Sequence, residues 1–313
     1  MSVKATAGTA AGKPGFTFDL SAIARRPEFG ALIGAVAVYI FFSIAGGSGF
    51  SDAGGWASWL NVASEVGIIA LPVALVMIAG DLDLSVGSTL AASSMTMAIF
   101  SGFFGLPTWI GVLAALLFGV AVGWLNGYIV TKTNLPAFVV TLATMFIIMG
   151  VTLGTTRLIV GSTSVSMTAD PFFQIIFGNL IFGLFETAVV WWAVVALLVS
   201  WILYKSVYGN WIYAIGGDVI SARATGIPVA KVRIWLFVGS GVGAALVGVI
   251  QTCLYSGAQV AAGQSFVFNS IIAVVVGGVL LTGGYGSTIG VILGTLTFAI
   301  VNQGIYYTGW NAD

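Results

Sequence analysis

Nine apolar runs divide the chain, at about 30–46, 62–80, 84–102, 108–130, 136–155, 181–204, 233–255, 268–282 and 287–307. A helix crosses a bilayer with about 20 mostly apolar residues. None of the runs shows the polar–apolar alternation over about ten residues that marks a membrane barrel strand. The pattern predicts an all-α, polytopic membrane protein with about nine transmembrane helices. The eighth run is short, and TGGYGST (282–288) joins it to the ninth. That pair reads either as a re-entrant hairpin covered by protein or a water-filled cavity, or as two packed helices joined by a glycine turn.

Composition sharpens this picture. Of 313 residues, 59% are hydrophobic and 6% charged, against about 25% charged in a soluble domain, so a water-exposed surface cannot be built. The 43 glycines suit close contacts between helices. Histidine is absent and Cys253 is the single cysteine. This excludes an intrachain disulfide and a cysteine metal cluster, and removes the commonest general base. Cys253, inside an apolar run, reads as a small buried apolar residue.

Charge placement sets orientation. With the N-terminus inside and alternating spans, Lys4, Lys13, Arg25, Arg26, Lys132, Lys205, Arg223, Lys231 and Arg233 all fall on the cytoplasmic side. Only Arg157 falls outside, as the positive-inside rule requires; Asp52, Asp170 and Asp313 lie on the far side. Residues 1–29 read as a cytoplasmic tail with no signal peptide. Residues 30–313 read as a single transmembrane domain with a cytoplasmic loop at about 205–232.

GDLDLSVGS (80–88) puts Asp81 and Asp83 between two spans, where a carboxylate costs roughly 2.5–3.5 kcal/mol at the centre of a membrane helix. Asp83 is placed to cap a helix starting at Leu84 by accepting the amide of Ser85 or Val86. The alternative is a turn that dips inward, so that Asp81, Asp83, Ser85 and Gly87 line a polar path. Asn126, Gln251, Asn269, Asn302 and Gln303 are uncharged polar side chains in or near spans, suited to interhelical hydrogen bonds or to solute contact, with Asn126 and Asn302 the pathway candidates. Trp191, Trp192 and Trp201 read as interface anchors, and Glu65 and Glu186 as residues near span ends within reach of water.

The polar stretch 204–235 contains DVISARATG, which makes about two helical turns. Asp218 caps its start, Gly226 stops it and Pro228 follows. Val219, Ala222 and Ile227 share one face, with Arg223 toward the rim. Such a short amphipathic helix lies at the membrane surface.

GDLDLSVGS, YAIGGDVISARATGIPVAKVR (213–233) and AVVVGGVLLTGGYGSTIGVILGTL (273–296), in that order, resemble the permeases of ribose/xylose/arabinose-type ABC sugar importers over most of residues 60–307. The resemblance implies a permease of the bacterial inner membrane, working as a dimer with two cytoplasmic ATPases and an extracytoplasmic sugar-binding protein. It implies no cofactor on this chain, ATP and Mg being used by the partner ATPase. It also implies that Gly216, Gly217, Asp218, Ala222, Arg223 and Gly226 form the ATPase-coupling loop. Importer coupling loops often read Glu-Ala-Ala, three residues, then Gly; here Ile220, Ser221 and Ala222 hold the first three places. Family members usually carry one more apolar helix and a short basic tail, where this sequence ends YYTGWNAD (306–313); the expectation is a truncated or a divergent end.

Two other functions compete. An ion-coupled secondary transporter of a small polar solute needs intramembrane acids paired with bases; Asp81, Asp83 and Glu65 are the acids available, and no base is expected mid-span. A membrane-embedded enzyme has no histidine, cysteine or metal-ligand cluster to carry chemistry. The chain has no ATP-hydrolysing loop of its own: in GTAAGKPG (8–15), Gly8 is out of register and Pro14 replaces the required Ser or Thr. Single cysteines at Ser206 and Thr163 are expected to react with an impermeant thiol reagent from opposite sides of the membrane; reaction from one side would overturn the orientation.

Overall fold

Where water is excluded, every backbone N–H and C=O needs an internal partner, and helix supplies it within one segment. The computed structural model describes residues 27–133 and 135–309, and it is helical almost throughout. The helices are α1 (Pro27–Ala45), α2 (Gly47–Ser51), α3 (Ala53–Ile78), α4 (Val86–Ala98, extended by a π-turn to Phe103), α5 (Thr108–Lys132), α6 (Ala137–Val160), α7 (Pro171–Phe177), α8 (Ala188–Lys205), α9 (Val207–Gly217), α10 (Val219–Ala224), α11 (Val229–Leu254), α12 (Gln264–Val276) and α13 (Thr288–Thr308). Among the described residues, α1, α3, α4 with its π-turn, α5, α6, α8, α11 and α13 are long and apolar enough to cross a membrane, and α12 is a shorter apolar helix of 13 residues. Each of the nine apolar runs therefore falls on a helix, and the molecule is a polytopic all-α membrane protein. Most of the 1–29 tail, with Lys4, Lys13, Arg25 and Arg26, lies outside the described residues, as does Asp313.

Boundaries move where local chemistry intervenes. The second span starts nine residues early because Asp52 caps it, its Oδ1 accepting the Gly55 amide at 2.8 Å. The 181–204 run opens on a small hairpin with two residues in each strand, β2 (Leu180–Ile181) with β3 (Phe185–Glu186), before α8 begins. A second small antiparallel pair, β1 (Ser164–Ser166) with β4 (Gly257–Gln259), joins the loops after α6 and α11.

Helices α3, α4 and α11 form the interior, with most of each buried, whereas among the described residues of α1 only Ala35 and Phe42 are buried. Two expectations are corrected by this packing. Trp192 is not an interface anchor: it is buried against Gly67 of α3, where a Cβ would collide with the indole. Glu65 does not reach water: it lies in the middle of α3 at 8% exposure and accepts a 3.0 Å hydrogen bond from Gln251 on α11. Trp201 stays exposed, as an anchor would, and Cys253 is buried.

The tightest helix pair is α5 against α11. Gly119, Gly123 and Gly127 recur every four residues and bring the α5 backbone onto Phe237, Ile234 and Gly241 of α11; a Cβ at Gly119 would stand 2.5 Å from the Gly241 carbonyl oxygen. With no hydrophobic drive between helices in lipid, such backbone approach is what dispersion and packing need. Gly123→Leu is expected to lower the thermal stability of the purified protein by about 1–3 kcal/mol or more through overpacking. Gly34→Leu, at a position with nothing within 4 Å of its would-be Cβ, should leave it unchanged. Equal melting curves for the two variants would refute the close-contact account.

Candidate functional site

Asp81 and Asp83 sit neither at a surface nor beside open water. Helix α3 ends at Ile78, and the chain returns as an extended segment to the start of α4 at Val86. That segment runs along α11. The Asp81 carboxylate takes both the Nε and Nη2 donors of Arg233, a bidentate pair. Seven residues further along α11, Ser240 donates to Asp83 Oδ2 at 2.8 Å. The other carboxylate oxygen accepts the Ser85 amide at 2.9 Å and the Ser85 hydroxyl at 2.7 Å. Asn126 of α5 donates to that same hydroxyl at 2.9 Å, and the Leu84 amide donates to Thr141 of α6 at 3.1 Å.

Depth follows from helix geometry. Ser240 is eleven residues past the start of α11, about 16 Å along its axis at ~1.5 Å per residue, against a hydrocarbon thickness of about 30 Å. Asp83 and the start of α4 therefore lie well inside the span, where irregular backbone is tolerated only when protein covers it. Asp81 is 8% exposed and Asp83 1%. Asp83 accepts the Ser85 amide as expected, but it does not cap α4: the helix begins at Val86, two residues after the expected Leu84, with Ser85 in the cap position and no side-chain cap. Arg233, placed by sequence at the cytoplasmic start of the seventh span, is in the second turn of α11 and turns inward.

The second cluster is at the end where most basic residues gather. Asp218 Oδ1 accepts the Ser221 amide at 2.6 Å and starts α10. Its bonds to Ser221, hydroxyl and amide, hold the carboxyl below its ordinary value of 3.8. A depressed value means the cap is present at neutral pH and is lost only as pH falls through that lowered value. Gly226 ends the helix at φ +85°, a left-handed conformation that favours glycine. The Ile227 and Gly226 amides return to the Ala222 and Arg223 carbonyls, the double bond of a Schellman stop.

Helix α9 joins these two clusters. Its Gly216 lies against the Ile78 carbonyl at the end of α3 and the amide of Gly284, which itself donates to Ile78 O at 2.8 Å. Tyr213 donates to Gly286 O at 2.7 Å, and Tyr204 accepts the Thr288 amide at 2.9 Å. Three glycine-bearing segments, around Gly80, Gly216 and Gly284, thus meet at one point.

A family model described as the branched-chain amino acid transport system / permease component matches residues 55–313. This chain belongs to that permease family. It is 34% identical over 251 residues to the ribose import permease protein of Escherichia coli (strain K12), covering 80% of this chain and 77% of that one. It is 30% identical over 283 residues to the fructose import permease protein of Rhizobium meliloti, covering 89% and 78%. With the xylose transport system permease protein of Haemophilus influenzae it shares 27% over 330 residues, 88% of each. No solved structure matches the chain.

Within the permease the predicted site residues divide. Asp83, Ser85 and Asn126 form a hydrogen-bonded network with Ser240, and Asp81 pairs separately with Arg233. Asn302 stands outside it, its carbonyl accepting from neighbouring Gln303 at 3.2 Å, and Gly87 packs on Gly263 at the start of α12. Of the coupling candidates, Gly217, Asp218, Arg223 and Gly226 are exposed, whereas Ala222 is buried in its own chain and Gly216 is wedged between loops. Ile220, at 78% exposure, is the apolar residue that α10 presents outward; the departure from Glu-Ala-Ala at that position was its only sequence signal. Removing one partner of a buried ion pair costs about 3–5 kcal/mol, while replacing both with apolar groups is often near neutral. Asp81→Leu and Arg233→Leu are therefore each expected to destabilise strongly, with Asp81→Leu/Arg233→Leu recovering much of the loss. Thermal unfolding in detergent checks this, and additive losses in the double variant would refute it.

Proposed function

We propose that this permease is the membrane subunit of an ATP-driven ABC importer that passes a monosaccharide delivered by an extracytoplasmic binding protein. ATP and magnesium bind a separate cytoplasmic ATPase, and two permease copies form the translocation unit. The N-terminus and the loop carrying α9 and α10 face the cytoplasm, a reading supported by the distribution of Lys and Arg.

The observation that carries this reading is the junction at Gly216. An exposed, sharply capped helix, α10, continues directly from α9, and α9 rests on the ends of α3 and of the loop before α13. A push on α10 is passed by backbone contact to Ile78 and Gly284, and through Tyr204 and Tyr213 to the start of α13. The end of α3 in turn leads into the Asp81–Asp83 segment clamped to α11. Rigid elements joined in this way move as bodies between two packings rather than bending continuously, and ATP binding on the partner selects between them. Sugar as the solute is supported by the ribose, xylose and fructose named for the relatives.

The test acts on α10. Gly226→Val forces a branched residue into a left-handed conformation and is expected to abolish sugar uptake and weaken co-purification of the ATPase, with membrane expression near normal. Arg223→Glu should weaken co-purification less, because an exposed charge contributes little and is screened by salt. Full ATPase binding and uptake by Gly226→Val would remove α10 as the coupling element.

A further inference from the structure

Three hollows adjoin on one side of the permease. The largest, about 740 Å³, is lined by Phe146, Met149 and Gly150 of α6 with Thr163, Gln259 and Gln264. A second, of about 320 Å³, shares Phe146, Met149 and Gln264 with it and reaches Leu84, Gly87 and Ser88 at the start of α4. A third, of about 430 Å³, shares Ser164 and Gln259 and reaches Ser94, Gln251 and Tyr255 near the end of α11. Together they run from the β1–β4 pair down to the buried turn. Their volumes fall in the range of about 300–1,000 Å³ usual for small-ligand sites.

The lining has a definite chemistry. No charged side chain borders any of the three hollows. Gln259 and Gln264 are exposed, and their side-chain amides make no hydrogen bond among the described residues. Phe146 and Phe268 present large exposed faces beside them, at 61% and 69% exposure. At the floor, Gly87 and Gly263 bring the starts of α4 and α12 into contact, and neither helix has a side-chain cap. A zwitterionic amino acid would find no carboxylate here for its ammonium group, at a high desolvation cost. A polyol would find amides for its hydroxyls and apolar faces for its C–H surfaces, in contacts weak enough to let it leave.

We infer that these hollows form one water-filled half-channel for a neutral, polyhydroxylated solute, in which Gln259 and Gln264 meet hydroxyl groups and Phe146, Met149 and Phe268 meet apolar ring faces. This rests on the transport reading above and moves the pathway away from Asp81 and Asp83, whose carboxylates are occupied by Arg233, Ser85 and Ser240. Selection against zwitterions is then a property of the permease itself.

Gly150 provides the test. A Cβ there meets nothing within 4 Å, and the same holds at Gly154 one turn along α6, which does not line the hollows. Both sites accept leucine without collision, and leucine is the better helix former. In proteoliposomes with the ATPase and binding protein, Gly150→Leu is expected to lose uptake of labelled ribose, xylose and fructose while keeping binding-protein-stimulated ATP hydrolysis. Gly154→Leu should keep both, and Gln264→Leu should lower uptake several-fold. Uptake retained by Gly150→Leu, or lost equally in both glycine variants, overturns the inference. A second arm needs no transport: with Cys253→Ala as background, cysteines at Gly150 and Gln264 should react with a charged methanethiosulfonate. Unreactive thiols at both mean that lipid or protein fills the groove, which overturns the half-channel. If the wild-type complex takes up none of the three sugars yet the thiols react, the sugar-import reading fails and the water-filled groove stands.

Discussion

The structure depends on one constraint: an extended, doubly acidic segment lies inside the span of its neighbouring helices, and every charge and backbone group in it needs a partner. Arg233 and Ser240, seven residues apart on one face of α11, meet Asp81 and Asp83, two residues apart in extended chain. About 10 Å of helix at ~1.5 Å per residue matches the reach of two extended residues, about 7 Å, plus their diverging side chains. The match sets both the depth at which α4 starts and the line along which the segment runs.

Because α4 starts deep, a second feature becomes possible. Its first turn meets the first turn of α12, which descends from the β1–β4 pair, and the two are brought together by Gly87 and Gly263. Two short helices beginning inside the membrane leave the space above their junction to loops and side chains. The neutral groove occupies that space, lined by glutamine amides and aromatic faces rather than by the acids that first attract notice. The acids organise the backbone around the groove and are themselves shielded from it.

The same segment connects to the surface that carries α10 through glycine. Gly216 has no side chain to separate α9 from Ile78 and Gly284, and so the exposed helix α10 is only a few backbone contacts from the end of α3. A larger residue would push α9 away from Ile78 and Gly284. The permease thus joins a bidentate clamp on α11 to a close-packed glycine junction beside it.

Much of this was legible in the residues. Apolar runs located nine helices because a membrane span must be long and apolar whatever it packs against. DVISARATG announced α10 because capping by Asp218 and the stop at Gly226 are local events, decided within one or two turns. Three motifs carried the family resemblance for the same reason. What only the tertiary structure decided was pairing: that Arg233 turns inward to Asp81, that Glu65 is buried beside Gln251, that Trp192 fills the space at Gly67, and that Gly80, Gly216 and Gly283 come together. Hydropathy reports a residue's own preference for lipid or water. A charge in a membrane protein, however, is placed by the partner it finds on another helix, and that partner stood 152 residues away from Asp81.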